Sequence, residues 1–133
     1  KAFQKGLDVL DKLTEGDVYL GLDGRGKSAP AAAFANATGV KKTYFSGKHP
    51  MGNVGIQIHH TAPINGTDKV WTLGVQEVAT IGELFLNGNY DASRIVAVGG
   101  SPIARPMYVK TYQGANIGDL VSNNISEQNA STL

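Results

Sequence analysis

Glycine punctuates this chain wherever its hydrophobic period changes, and that punctuation limits the folds open to it. Most of the 17 glycines stand between periodic segments and none forms a low-complexity tract, so these read as stops and tight turns between short elements. Phe3, Leu7, Leu10 and Leu13 share one helical face, with Lys5, Asp8 and Asp11 off it, which predicts a helix from about Ala2 to Leu13 ahead of Gly16. Asp17 to Leu22 has strand composition and runs into the loop Asp23-Gly24-Arg25-Gly26. Ser28 is placed to cap a second helix with Pro30 in its first turn, an alanine-rich run reaching Ala37 before Gly39 ends it. Val40 to Ser46 then returns as a strand.

Between Gly47 and Gly52 the chain has turn chemistry: Pro50 fixes its own φ and biases His49 toward extended geometry. From Asn53 to His60 two periods compete. Val54, Ile56 and Ile58 alternate as in a strand, while Val54 and Ile58 share a helical face behind an Asn53 cap; we read a short helix. Thr61 to Asp68 reads as a surface turn and Val70 to Leu73 as a short buried strand. The helix Val75 to Asn87 carries a stripe of Val75, Val78, Ala79, Gly82, Phe85 and Leu86, and Gly88 stops it. Arg94 to Val98 reads as a second buried strand and Gly99 to Pro102 as a change of unit. Met107 to Tyr112 alternates, Asn116 caps a short helix through Val121, and the tail from Asn123 is polar and expected to fray. The interleaving predicts an α/β layered segment over residues 1–92 and a second unit over 93–133.

At 133 residues the chain is about one domain long, and its start at Lys1 and polar end suggest a piece of a longer protein. Twelve basic residues stand against eleven acidic ones with no basic run, so the electrostatic footprint of a nucleic-acid binder is missing. Absence of cysteine excludes disulfides, Cys-ligated zinc and Cys-ligated iron–sulfur clusters within this sequence. No apolar run approaches the roughly 20 residues needed to span a bilayer, so membrane association is expected through partners.

Gly21-Leu-Asp-Gly-Arg-Gly26-Lys27-Ser28 has the spacing of a phosphate-binding loop after a predicted strand, in which backbone amides, a lysine and a hydroxyl hold a nucleotide and its Mg²⁺. Against that, Pro30 stands where the following helix should donate amides, and no later strand ends in an aspartate to hold the metal. A surface loop is the preferred reading of Gly21, Gly26, Lys27 and Ser28, with a nucleotide-binding enzyme as the alternative. His49, His59 and His60 invite a metal reading, but neighbouring His59 and His60 diverge on a helix or a strand and no carboxylate completes a set. We assign no metal site. Serines 46, 93 and 101 lack a nucleophile elbow, and no catalytic acid, base or nucleophile is assigned. Tyr44, Phe45, Trp71 and Phe85 offer faces for a planar ligand, although ordinary core is the simpler account.

From Lys5 to Val121 the chain resembles the A subunits of bacterial sodium-translocating NADH:quinone oxidoreductases. The likeness is carried by Gly6-Leu-Asp-Val-Leu-Asp-Lys-Leu-Thr-Glu-Gly16, by Ser46-Gly-Lys-His-Pro-Met-Gly-Asn-Val-Gly-Ile-Gln-Ile-His59, and by Val70-Trp71 with Gly74 to Val78. Arg94 to Gly100 and Thr111 to Ala115 continue it. That family is distantly similar to the flavin-bearing subunit of respiratory complex I. The resemblance implies a Rossmann-like α/β segment followed by the opening elements of a ubiquitin-like β-grasp unit, with apolar surface near Ile95, Val109 and Leu120 left short of its cover. Met107 and Tyr112 depart from that unit's usual glycine and proline.

Where the complex I relative has Gly-Glu-Glu in its flavin and NADH pocket, this chain has Gly52-Asn53-Val54, so the resemblance implies that the dinucleotide site is lost. It further implies a peripheral position on the cytoplasmic face of the bacterial inner membrane, partnered by the other subunits of a complex that uses flavins, an iron centre and quinone. The chain itself is expected to hold no cofactor. A quinone, ubiquinone or menaquinone, needs hydrogen-bond donors beside apolar walls and backbone it can approach closely. His49 and His59 supply donors, Met51, Val54 and Trp71 walls, and Gly52 and Gly55 close approach, which makes these seven the quinone-proximal candidates.

Overall fold

The computed structural model describes residues 1–26 and 30–126, which divide into two compact units, Lys1–Tyr90 and Asp91–Leu133. The first unit is mixed α/β: α1 (Ala2–Leu13), β1 (Tyr19–Asp23), α2 (Ala32–Ala35), β2 (Lys41–Phe45), α3 (Val54–Thr61) and α4 (Val75–Asn87). β1 and β2 pair in parallel from Tyr19 opposite Lys41 to Asp23 opposite Phe45, with α2 on the crossover between them. The second unit holds β3 (Ser93–Val98), β4 (Met107–Tyr112) and α5 (Ile117–Val121); β3 and β4 are antiparallel, from Ser93 opposite Tyr112 to Val98 opposite Met107.

Two glycines set the packing of the first unit. A Cβ on Gly6 would fall on the backbone carbonyl of Val78, and one on Gly82 would fall on the carbonyl of Ala2 and 2.7 Å from the amide nitrogen of Gly6. α1 and α4 therefore touch backbone to backbone, each helix seating a carbonyl on the other's bare glycine, a geometry suited to Cα–H···O contacts. Around this crossing Phe3, Leu7, Ala37 and Val78 form the buried cluster, with Leu10, Val18, Leu20, Phe34 and Val40 packed against it. The rings of Phe3 and Phe34 meet edge to face at 5.0 Å. The Gln4 carboxamide then ties α1 to the turn before β2: its nitrogen donates to the Thr38 carbonyl at 3.0 Å, and the Thr38 amide donates back to its oxygen at 2.9 Å. At the other end of α4, Gly88 takes φ 74° and its amide closes on the Leu84 carbonyl, as a glycine stop should.

Several expectations need correction. α2 is a single turn over Ala32–Ala35, because Ala31 after Pro30 is still extended and the chain bends at Asn36 to bury Ala37; Ser28, its expected cap, lies outside the described residues. Asn53 precedes α3, but its side chain makes no capping bond, whereas Asn116 caps α5 by accepting from the Gly118 amide. Val70 to Leu73 is neither strand nor buried: no partner strand adjoins it, and Trp71 is 91% exposed. The α4 stripe is wider than the face it buries, since α1 contacts it through Val78 and Gly82 while Val75 and Phe85 remain exposed. Leu13, at the end of α1, is exposed as well.

β3 also differs from expectation. A two-stranded hairpin has little to cover it, so the face bearing Ile95, Ala97, Tyr108 and Tyr112 is open to solvent, while Val98 and Val109 on the other face are half-buried. Leu120 is half-buried too. Asn124 returns to the β3–β4 connection, its carboxamide donating to the Arg105 carbonyl at 2.7 Å and accepting from the Arg105 amide at 3.0 Å. Ile125 forms an isolated bridge with Ile103, so residues 123–126 are held; the rest of the tail expected to fray, residues 127–133, lies outside the described residues.

The glycine crossing predicts opposite outcomes for two like substitutions. Gly82→Ala should destabilise the chain by ~1–3 kcal/mol through overpacking, despite alanine's better helix propensity. Gly55→Ala, in α3 where a Cβ meets nothing within 4 Å, should stabilise it by ~0.5–1 kcal/mol. Urea denaturation of both variants measures the contrast.

Candidate functional site

The parallel strands end side by side, and their carboxyl ends lead into the loops that carry Gly24, Gly26, His49 and Gly52. In open α/β sheets this edge is where ligands commonly sit. β1 ends at Asp23 and β2 at Phe45; the Gly24 amide donates to the Phe45 carbonyl at 2.7 Å, extending the pairing into the first loop. Ser46 to Asn53 leads from β2 into α3, with the Met51 amide donating to the Lys48 carbonyl at 3.1 Å and the Asn53 amide to the Pro50 carbonyl at 2.8 Å. The His49–Pro50 peptide is cis.

Gln57, which no sequence motif singles out, joins these pieces. Its carboxamide nitrogen donates to the Met51 carbonyl at 3.3 Å, and its oxygen lies 2.6 Å from where a Cβ on Gly21 would stand. The Phe45 ring edge is 3.4 Å from that same position. β1, β2, the loop and α3 thus meet at a bare glycine. The available signal in the sequence is a polar residue between Ile56 and Ile58, all three of them half-buried on α3.

Of the seven quinone-proximal candidates, Met51 is half-buried, held through its own carbonyl, and its side chain lies 3.8 Å from the position of a Cβ on Gly47. His49, Gly52, Val54, Gly55 and His59 are exposed, and a Cβ added at Gly52 or Gly55 would meet nothing within 4 Å. The His59 and His60 rings contact each other edge to face at 5.3 Å near the end of α3. Six of the seven lie in one stretch of sequence, along the loop and α3. Trp71 stands apart in sequence, on the irregular segment leading to α4.

The first loop is organised by its own ion pair. Asp23 accepts from the Arg25 amide at 2.9 Å and from the guanidinium at 3.0 and 2.7 Å. This is an Asx turn closed by a forked charge pair. For the alternative nucleotide reading the consequence is direct: the Gly24 and Arg25 amides, which a phosphate would need, are spent on Phe45 and Asp23. Gly21 lies inside β1, Gly26 is exposed, and Lys27 and Ser28 lie outside the described residues. Among the described residues no group of three or more His, Cys, Asp or Glu is placed to hold a metal ion.

Two shallow depressions lie elsewhere in the unit. One of about 240 Å³ is lined by Leu7, Asp8, Asp11, Lys12, Thr38 and Gly39. An opener one of about 560 Å³ lies next to it, around Glu15, Asp17 and Lys41. Lys41 pairs with Asp17 at 2.5 Å, and that hydrogen bond raises the lysine's pKa. None of the quinone-proximal candidates lines either depression.

The Arg25 guanidinium, aided by the Arg25 amide, lowers the Asp23 pKa from 3.8 to about 2. Because the folded value lies below the ordinary one, the closed turn is fully present above about 3.8 and is lost as pH falls through about 2. Carboxyl-carbon NMR titration should show Asp23 titrating at about 2, and Arg25→Gln should return it toward the ordinary value.

Comparison with known proteins adds a family to this geometry. The family model described as the NqrA second alpha/beta domain matches residues 1–90, and the one described as the NQRA C-terminal domain matches residues 95–132. The A subunit of the Na(+)-translocating NADH-quinone reductase of Saccharophagus degradans is 40% identical over 126 residues, covering 95% of this chain and 27% of the relative. Its namesake from Alcanivorax borkumensis is 38% identical over 127 residues, 96% of this chain and 28% of the relative. That from Shewanella frigidimarina is 41% identical over 121 residues, 91% and 26% respectively. The chain therefore spans little more than a quarter of the length of these relatives. With two consecutive domain models matched across nearly all of its residues, the chain belongs to the NqrA family, covering the second alpha/beta domain and continuing into the C-terminal domain.

Proposed function

We propose that this chain is the part of the A subunit of a sodium-translocating NADH-quinone reductase that organises the quinone-reducing side and docks to the other subunits. The observation that carries this reading is the succession of two NqrA domains along one chain, at about 40% identity to proteins bearing that name. The first unit is a Rossmann-like segment related to the flavin-bearing subunit of complex I; its parallel β1–α2–β2 step, flanked by α1 and α4, supports this. The second unit, bounded near residue 92, opens a ubiquitin-like β-grasp, a reading supported by the antiparallel β3–β4 pair followed by α5.

In this account the chain holds no flavin, metal or nucleotide of its own. Gly52-Asn53-Val54 offers no carboxylate to a dinucleotide, and the flavins and iron centre belong to other parts of the complex. Among the described residues no helix is long and apolar enough to cross a membrane. In this reading the chain sits peripherally on the cytoplasmic face, held there by the partner subunits, as the match to A subunits of this reductase supports. Exposed apolar side chains such as Phe85, Ile95 and Tyr108 are the natural contacts for those partners.

Quinone, ubiquinone or menaquinone, meets the chain at the end of the parallel strands. His49 and His59 donate to its carbonyls, Met51, Val54 and Trp71 flank its ring, and Gly52 and Gly55 let it approach the backbone, where the space over both glycines is open. A photoreactive ubiquinone analogue applied to the assembled complex should label peptides spanning His49 to His60 or containing Trp71. Labelling confined to other segments, with full quinone reduction retained by an assembled His49→Ala, Trp71→Phe double variant, would overturn the quinone assignment.

A further inference from the structure

We infer that Gln57 is a positioning residue for the His49–Gly52 loop and that Gly21 is glycine in order to seat it. The inference rests on the quinone reading above and assigns the part of that site which sets its geometry. The loop is exposed along Ser46 to Pro50 and again at Gly52 and Asn53, and its internal turn bonds leave the Met51 carbonyl available. Gln57 takes that carbonyl from one turn further along α3. At its other end the carboxamide oxygen occupies the space above Gly21, and the Phe45 ring borders that space. A carboxamide suits both tasks, with a donor for the loop carbonyl and a compact second end that fits over the bare strand.

Two residues thus form one device. Any side chain on Gly21 displaces the Gln57 carboxamide, and a displaced carboxamide releases Met51. The residues on either side of the freed carbonyl, His49 with Pro50 and Gly52 with Val54, are those proposed to meet the quinone. Gln57 touches none of the reacting atoms in this account. Its effect passes through the loop.

A double-variant cycle on the chain tests the device itself. Gly21→Ala should lower the melting temperature of the wild type, yet leave it unchanged or raise it in a Gln57→Ala background, where the obstructing group is gone and alanine is the better strand residue. Exchange of the Met51 and Asn53 amides should quicken in Gly21→Ala and in Gln57→Ala. Equal costs of Gly21→Ala in both backgrounds, or unchanged exchange, would overturn the device.

Kinetics on the assembled complex test its role. Gly21→Ala and Gln57→Ala should each raise the KM for a short-chain ubiquinone on the order of tenfold with kcat unchanged, the mark of lost positioning rather than lost chemistry. Gln57→Glu keeps an oxygen over Gly21 but has no donor when ionised, so it should melt near the wild type and still show the raised KM. Gln57→Glu with a wild-type KM would overturn the positioning role. Wild-type complex labelled by the photoreactive quinone neither between His49 and His60 nor at Trp71, with full quinone reduction retained by the His49→Ala, Trp71→Phe variant, would remove the quinone reading and the positioning role with it, even if the melting cycle showed the inversion; labelled wild type with unmoved KM values would remove the positioning role alone.

Discussion

The carbonyl of Ala2 lies where a side chain on Gly82 would begin, and the carbonyl of Val78 lies where one on Gly6 would begin. Everything else in the first unit is arranged around that reciprocal contact. With α1 and α4 pressed together, Phe3 and Leu7 reach Phe34, Ala37 and Val78, and the Gln4 carboxamide reaches the peptide of Thr38. The small core, with few side chains below a tenth exposed, gains little from burial alone. Close backbone contact supplies shape where bulk is short.

From that platform the two parallel strands project their carboxyl ends to one edge, and the loops there divide the available polar groups between them. The first loop is closed on itself by Asp23 and Arg25, which leaves it unsuited to hold a phosphate. The second is held by its own turn bonds and by the side chain of Gln57, and its histidine and glycines are exposed. One loop is self-sufficient and the other is accessible. A ligand that approaches flat and asks for few hydrogen bonds suits the second better than the first.

Much of the element pattern was legible in the sequence for simple reasons. α1, α4 and β4 were readable because each has an unbroken hydrophobic period and a glycine or polar stop, and α5 because Asn116 caps it in fact. Legibility fails where apolar composition does not bring burial. Val70 to Leu73 and Arg94 to Val98 are both apolar, yet the first has no strand beside it and the second has one strand beside it and an open face. Composition states what a segment would gain by being covered; it does not supply the cover. At the candidate site the loop glycines and histidines were visible from turn chemistry, whereas the pairing of Gln57 with Gly21 was not. These two residues lie far apart in the chain, and their relation depends on a strand residue having no side chain, which no local pattern reports.

The most direct test of this account is whether the helix backbones touch as described. In a NOESY spectrum of the chain, the Gly82 Hα protons should show cross-peaks to the Gly6 amide proton and to Ala2, with Gly6 Hα protons giving matching peaks to Val78. Assigned and helical α1 and α4 segments that lack all of these cross-peaks would contradict the claim that bare glycines bring the two helices together.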